Sequence, residues 1–176
     1  MPSCNATACG RINPVAHDDV SQSLMRAADL SRCGRYRYAL HRTWRNDAPK
    51  VLFIGLNPST ADAHNDDATS RVCMNYARRW GFGGLLLANL FAWRATHPRD
   101  LFAAPRPIGP RNDKVLRSLQ EEVSLVVCAW GDGGAHRERD RRVLELLHAP
   151  HCLTTLRSGR PGHPLYKSAA LLPRPL

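Results

Sequence analysis

Two apolar runs, Val51-Leu52-Phe53-Ile54-Gly55-Leu56 and Leu85-Leu86-Leu87-Ala88, each lead straight into an asparagine, Asn57 and Asn89. Unbroken apolar stretches of this length are what strands buried on both faces of a sheet require. A polar side chain at the end of such a strand falls on the carboxyl edge of the sheet, where open α/β folds place their ligands. The sequence therefore predicts a buried sheet with a polar site along its rim.

The rest of the chain alternates between strand and helix patterns. After the first buried strand, residues 50–56, the acidic start Asp66-Asp67-Ala68-Thr69 predicts a helix running to about Trp80 and ended by Gly81. A strand over 84–91, a helical turn over 98–104, a helix over 111–122, a strand over 124–130, a helix over 137–148 and a strand over 152–156 follow. This order predicts a three-layer α/β sandwich with a small, mostly parallel central sheet. Residues 34–44 alternate basic and large apolar side chains, the period of a half-exposed strand at a sheet edge or in a hairpin arm. Residues 1–30 read as a mobile arm with a short helix near 21–30, residues 31–176 as one domain, and 171–176 as a surface tail.

A chain of 176 residues, 43% of them hydrophobic, can bury one real core, and no stretch is long and apolar enough for a membrane span. The first residues lack a basic start followed by an apolar stretch, so the expected address is the cytoplasm. Six cysteines (Cys4, Cys9, Cys33, Cys73, Cys128 and Cys152) form no C-x-x-C pair, which argues against a zinc ribbon, a redox dithiol or an iron–sulfur cluster. The formal charge is +10, and only Lys50, Lys114 and Lys167 among the 25 basic residues are lysines. Arginine is the better fork for phosphate oxygens, so DNA or a nucleotide is the expected partner, with no membrane and no cofactor.

Several motifs are partial. Trp130-Gly131-Asp132-Gly133-Gly134 lacks the full dinucleotide fingerprint, although its glycines would let backbone N–H groups meet an anion. His136-Arg137-Glu138 is one half of a zinc deaminase signature whose cysteine half is missing. Asp62, His64, Asp66 and Asp67 offer oxygen ligands for a divalent cation, or equally a solvated loop capping the next helix. His163-Pro164 follows the last expected strand within a basic loop, residues 157–167, from which an imidazole can reach the same edge as Asn57 and Asn89.

In that order, Ile54-Gly55-Leu56-Asn57-Pro58, Leu85-Leu86-Leu87-Ala88-Asn89, Val126-Val127-Cys128-Ala129-Trp130-Gly131 and His163-Pro164-Leu165 resemble the framework of the uracil-DNA glycosylase superfamily. From about Ser31 to Leu172 the chain more closely resembles a bacterial domain family of unassigned function that has been grouped with those glycosylases. Tyr36-Arg37-Tyr38, Asn57-Pro58-Ser59-Thr60-Ala61-Asp62, Asp66-Asp67, Ala77-Arg78-Arg79-Trp80-Gly81 and Asn89-Leu90-Phe91 carry this second likeness.

The resemblance implies a glycosylase-like sheet and hydrolysis of a base–sugar bond in DNA or in a modified nucleotide. It places Asn57 on the attacking water, Asn89 on the base edge and His163 on the oxygen where charge gathers. An asparagine amide holds a water but cannot take its proton, so a carboxylate is needed; Asp62 is the first candidate, with Asp66 and Asp67 in reserve. Pro58 belongs to the first motif, Phe91, Trp93 or Trp80 to base stacking, and Leu165 or Tyr166 to the wedge that fills an emptied base position. Arg78, Arg94, Arg157, Arg160 and Lys167 are the expected backbone contacts. The family's His-Pro-Ser-Pro pattern is broken here as His163-Pro164-Leu165-Tyr166. Two alternatives remain open: a non-catalytic nucleic-acid-binding module on the same scaffold, and a metal-dependent hydrolase using Asp62, His64 and Asp67.

Overall fold

A computed structural model describes residues 23–176 of the chain. Strands β1 (Met25–Leu30), β2 (Arg37–Thr43), β3 (Lys50–Gly55), β4 (Gly84–Asn89), β5 (Leu125–Cys128), β6 (His151–Cys152) and β7 (Arg174–Pro175) form one sheet in the order β1-β2-β4-β3-β5-β6-β7. The four central strands β4, β3, β5 and β6 run parallel. The pairings β1–β2, β2–β4 and β6–β7 are antiparallel. The sheet is thus mixed, with three parallel and three antiparallel pairings, and not mostly parallel as the strand–helix alternation predicts. The reason is local: β1, β2 and β7 lie outside the strand–helix–strand units, so no crossover forces them parallel.

Helix α1 (Ala68–Arg79) covers one face, and α2 (Pro98–Ala103), α3 (Asn112–Glu121) and α4 (Arg139–Leu144) cover the other. Side chains alternate along β3 accordingly. Leu52 and Ile54 enter the core beneath α2–α4, while Val51 and Phe53 pack against Met74, Tyr76 and Ala77 of α1. Each fully buried aliphatic side chain there contributes about 1.5–3 kcal/mol. Asp67 caps α1 by accepting the Ser70 N–H at 2.7 Å, and the helix ends at Gly81, whose φ of +83° favours glycine.

Four local expectations change. Met25–Leu30 is a strand, not helix, because its backbone pairs with β2 along its full length, and residues 23–24 are not helical either; residues 1–22 of the expected arm lie outside the described residues. β2 is interior, flanked by β1 and β4, and its basic side chains are not on a wet face. Arg37 and Arg42 are fully buried, and Arg42 donates to Asp66 at 2.8 Å, to the His41 carbonyl at 2.8 Å and to the Asp62 carbonyl at 2.6 Å. A buried guanidinium needs such a complete set of acceptors, and the 57–67 loop together with the β2 backbone supplies them. The helix expected over 137–148 shrinks to α4, since Arg137 and Glu138 adopt φ of 56° and 53° and break the preceding 3-10 turn. The last expected strand keeps only His151–Cys152, and the tail adds β7 beside it. Among the described residues, Cys33, Cys73, Cys128 and Cys152 are free thiols.

Candidate functional site

At the carboxyl ends of β3, β4 and β5 a pocket of about 210 Å³ is lined by Arg37, Asn57, Asp67, Asn89, Trp130 and His163, among others. Each comes from a different element: β2, the turn after β3, the α1 cap, the end of β4, the residues after β5, and the 157–167 loop. Asn57 is held by its amide nitrogen, which donates to the Ala95 carbonyl at 2.7 Å and the Pro58 carbonyl at 3.0 Å. Its carbonyl oxygen is thereby left as the acceptor available to a guest.

Asn89 is fixed through the backbone. Asn112 donates to the carbonyls of Asn89 at 3.0 Å and Leu90 at 2.9 Å, and the buried Arg139 donates to the Leu90 carbonyl at 2.8 Å. Arg139 is anchored in turn by Asp113. A Cβ at Gly55 would sit 2.9 Å from the Asn89 Oδ1, so the absent side chain at Gly55 is what gives the amide its place. Gly55→Ala is expected to displace Asn89 and weaken binding of a pocket ligand by about tenfold, roughly 1.4 kcal/mol. Calorimetric titration with uracil, the ligand that the glycosylase resemblance implies, alongside a melting curve showing an intact fold, checks it.

His163 stands at the mouth. The Leu165 N–H points to its Nδ1 at 3.3 Å, which sets the Nε2–H tautomer of the neutral ring. Loss of hydration holds the imidazole below its ordinary value, and the Asp67 carboxylate opposes that shift only partly. His163 is therefore a neutral donor at neutral pH. Asp67 uses one carboxylate oxygen to cap α1 and is the one carboxylate lining the pocket. Burial pushes the Arg37 guanidinium down to about 10, against the raising influence of Asp67, so it stays charged.

The remaining sequence candidates are spread out. Asp62 does not line the pocket; its Oδ1 accepts the His64 and Asn65 N–H groups, each at 2.8 Å, and the two bonds hold its carboxyl below the usual range. Asp66 is occupied by Arg42 and Arg26. Among the described residues no three His, Cys, Asp or Glu side chains are grouped as a metal would need, so Asp62, His64 and Asp67 do not converge. Pro58 is buried and Phe91 lies in the core against His136, neither lining the pocket. Trp80 stacks on Phe53 and Tyr76 under α1.

Trp93 and Arg94 line an adjoining groove of about 640 Å³, which shares Ser59, Ala95 and Thr96 with the pocket. Leu165 is half-buried, and Tyr166 is 99% exposed with φ of 61°. Arg78 lies over the Trp44 ring, Arg160 pairs with Asp140 at 2.7 Å, and Arg157 and Lys167 are exposed. The glycines after Trp130 serve packing: a Cβ at Gly133 would meet Leu56 at 2.6 Å, and one at Gly134 would meet the Trp130 indole nitrogen at 2.8 Å. A larger cleft of about 400 Å³ at the 105–110 loop contains no carboxylate or imidazole.

Arg37 and Trp130 line the pocket although the sequence reading placed them only in motifs and gave them no role at the site. Trp130 ends an apolar run just as Asn57 and Asn89 do, which is a usable signal. Arg37 stands in the quoted Tyr36-Arg37-Tyr38 motif, but its alternation with apolar neighbours has the same period whether its face is wet or covered, so nothing marked it for the pocket.

Fold and site together define a mixed-sheet α/β protein with a polar pocket at the carboxyl edge of its parallel strands. Residues 37–165, more than half of the chain, match the family described as protein of unknown function DUF1643, and the chain belongs to that family. No curated protein and no solved structure gives a significant match, and nothing in these comparisons links the chain to the uracil-DNA glycosylases. Among the described residues, no helix is long and apolar enough to cross a membrane.

Proposed function

We propose that the pocket receives a nucleobase and that the protein hydrolyses the bond joining base to sugar, in DNA or in a modified nucleotide. The observation that carries this reading is the convergence of Asn57, Asn89 and His163 on one small pocket with a single carboxylate, Asp67. A volume of about 210 Å³ suits one ring system better than a whole nucleotide, since pockets for drug-sized ligands run from about 300 to 1,000 Å³. The adjoining groove, with Arg35, Arg94 and His97 along it, is the natural course for sugar and phosphate. The exposed ring of Tyr166, on the loop that follows His163, suits contact with a neighbouring base.

In this mechanism the Asn57 carbonyl oxygen and Asp67 hold a water. Its oxygen bonds to the anomeric carbon of the sugar while Asp67 accepts its proton. The carbon–nitrogen bond breaks, and its electron pair leaves with the base. The Nε2–H of neutral His163 donates a hydrogen bond to the base oxygen on which that charge settles, as an oxyanion-hole donor does. Asn89 reads the base edge with one donor and one acceptor.

The test is incubation of the full chain with single- and double-stranded DNA containing uracil, hypoxanthine or related lesions, and with the free nucleotides. Released base is followed by mass spectrometry. Release that His163→Ala abolishes in a folded protein supports the reading. Salt-sensitive DNA binding without release from any substrate overturns it in favour of a non-catalytic module.

A further inference from the structure

Base release assigns no work to Arg37, yet a guanidinium only 2% exposed is costly to bury unless its N–H groups are used. Its Nη1 donates to the Ala61 carbonyl at 2.5 Å. Its Nε is buried and has no acceptor among the described residues. Asp67, on the same pocket wall, acts on the charge from a distance and forms no hydrogen bond with it.

Arg37 is not alone in this. The Asn89 Nδ2 is likewise buried without an acceptor among the described residues, on a residue 4% exposed that lines the same pocket. The Arg94 Nε is a further orphan in the adjoining groove. All are N–H donors. Leaving such groups unpaired is expensive, so a pocket built from them is complementary to a guest rich in acceptors. The Nε edge of a guanidinium in particular presents two parallel N–H groups, which match the paired oxygens of a carboxylate or phosphate better than a lone ring carbonyl.

We infer that the occupant carries an oxoanion, seated on the Nε edge of Arg37 and completed by the Asn89 amide. Taken with the base-binding reading, on which this second step rests, the substrate is a base whose ring bears a carboxylate. Uncharged uracil then fills the ring position and leaves the Arg37 edge empty.

Calorimetric titrations of the full chain with orotate, uracil and inorganic phosphate test this. Orotate is a pyrimidine ring with a carboxylate, and uracil is the same ring without it. Orotate is expected to bind tighter than uracil by roughly tenfold or more, the scale of a charge-assisted hydrogen-bonded pair. Arg37→Gln should erase that difference, and Arg37→Lys, which keeps the charge but not the fork, should restore only part of it. The comparison of the two ligands on the unaltered protein needs no variant, so it stands even if an Arg37 variant fails to fold. Arg37-dependent phosphate binding with no orotate advantage supports the oxoanion seat and overturns the ring carboxylate. Equal binding of orotate and uracil, with no phosphate binding, overturns both. The two readings fail separately: an orotate preference without base release from any substrate removes the hydrolysis and keeps the anion seat. Base release with no orotate or phosphate preference does the reverse.

Discussion

Asp67→Asn is expected to slow base release by about 10²–10⁴-fold, the usual contribution of a positioned general base. The substitution preserves the helix cap, because asparagine caps helices as well as aspartate does and can still accept the Ser70 N–H. The cap is kept, but the buried Arg37 loses the nearby charge of Asp67, so the melting temperature should fall by several degrees while single-turnover release collapses. If release persists at the parent rate, Asp67 does not take the proton. The pH profile offers an independent check through His163. Partial loss of hydration at the pocket mouth lowers the pKa of that imidazole, so the neutral donor dominates above the ordinary value of 6.5. The rate should hold at neutral pH and fall only as pH drops through the lowered value.

The second large effect lies one residue away and concerns stability. Asp66→Ala removes the carboxylate that meets the Arg42 Nε at 2.8 Å and Arg26 at 2.5 Å, and leaves a fully buried guanidinium short of its counter-charge. Breaking one side of a buried ion pair costs about 3–5 kcal/mol. At roughly 2–4 °C per kcal/mol for a chain of this size, the melting temperature should fall by about 6–20 °C, measured by circular dichroism. The pH dependence follows. Burial alone would raise the Asp66 carboxyl, but the hydrogen bonds from Arg26 and Arg42 outweigh it and hold the group below its ordinary value of 3.8. A depressed folded-state pKa gives stability that is present above the ordinary value and lost as pH falls through the lowered one. The parent protein should lose stability in acid more steeply than Asp66→Ala, whose acid limb should be flatter. Equal limbs would mean that the pair contributes nothing to acid sensitivity.

These neighbouring aspartates mark the limit of what sequence alone discloses. Asn57 and Asn89 were legible because a buried strand has to be apolar up to the residue where it surfaces. His163 was legible because it follows the last strand expected at that edge, and all three line one pocket. Which carboxylate of the Asp62, Asp66 and Asp67 group joins them is settled by hydrogen bonds invisible in composition. Asp62 folds back on His64 and Asn65, Asp66 answers a buried arginine, and Asp67 caps α1 from the pocket wall. The sheet's direction was half legible for a related reason. Strand–helix alternation identifies β3, β4 and β5, whereas β7 is two residues long and β1 has no apolar run.

The outer strands have a practical consequence. The family match spans residues 37–165, while β1 and β7 lie on either side of it, at Met25–Leu30 and Arg174–Pro175. A chain cut to the matched segment would keep the pocket residues yet bare the outer row of backbone donors and acceptors on β2, and the shorter one on β6. Open rows of that kind recruit other chains. It would also lose Arg26, one of the two arginines on Asp66. The matched segment thus holds every residue lining the pocket but only five of the seven strands, and it depends on its flanks to pair the outer backbone of β2 and β6.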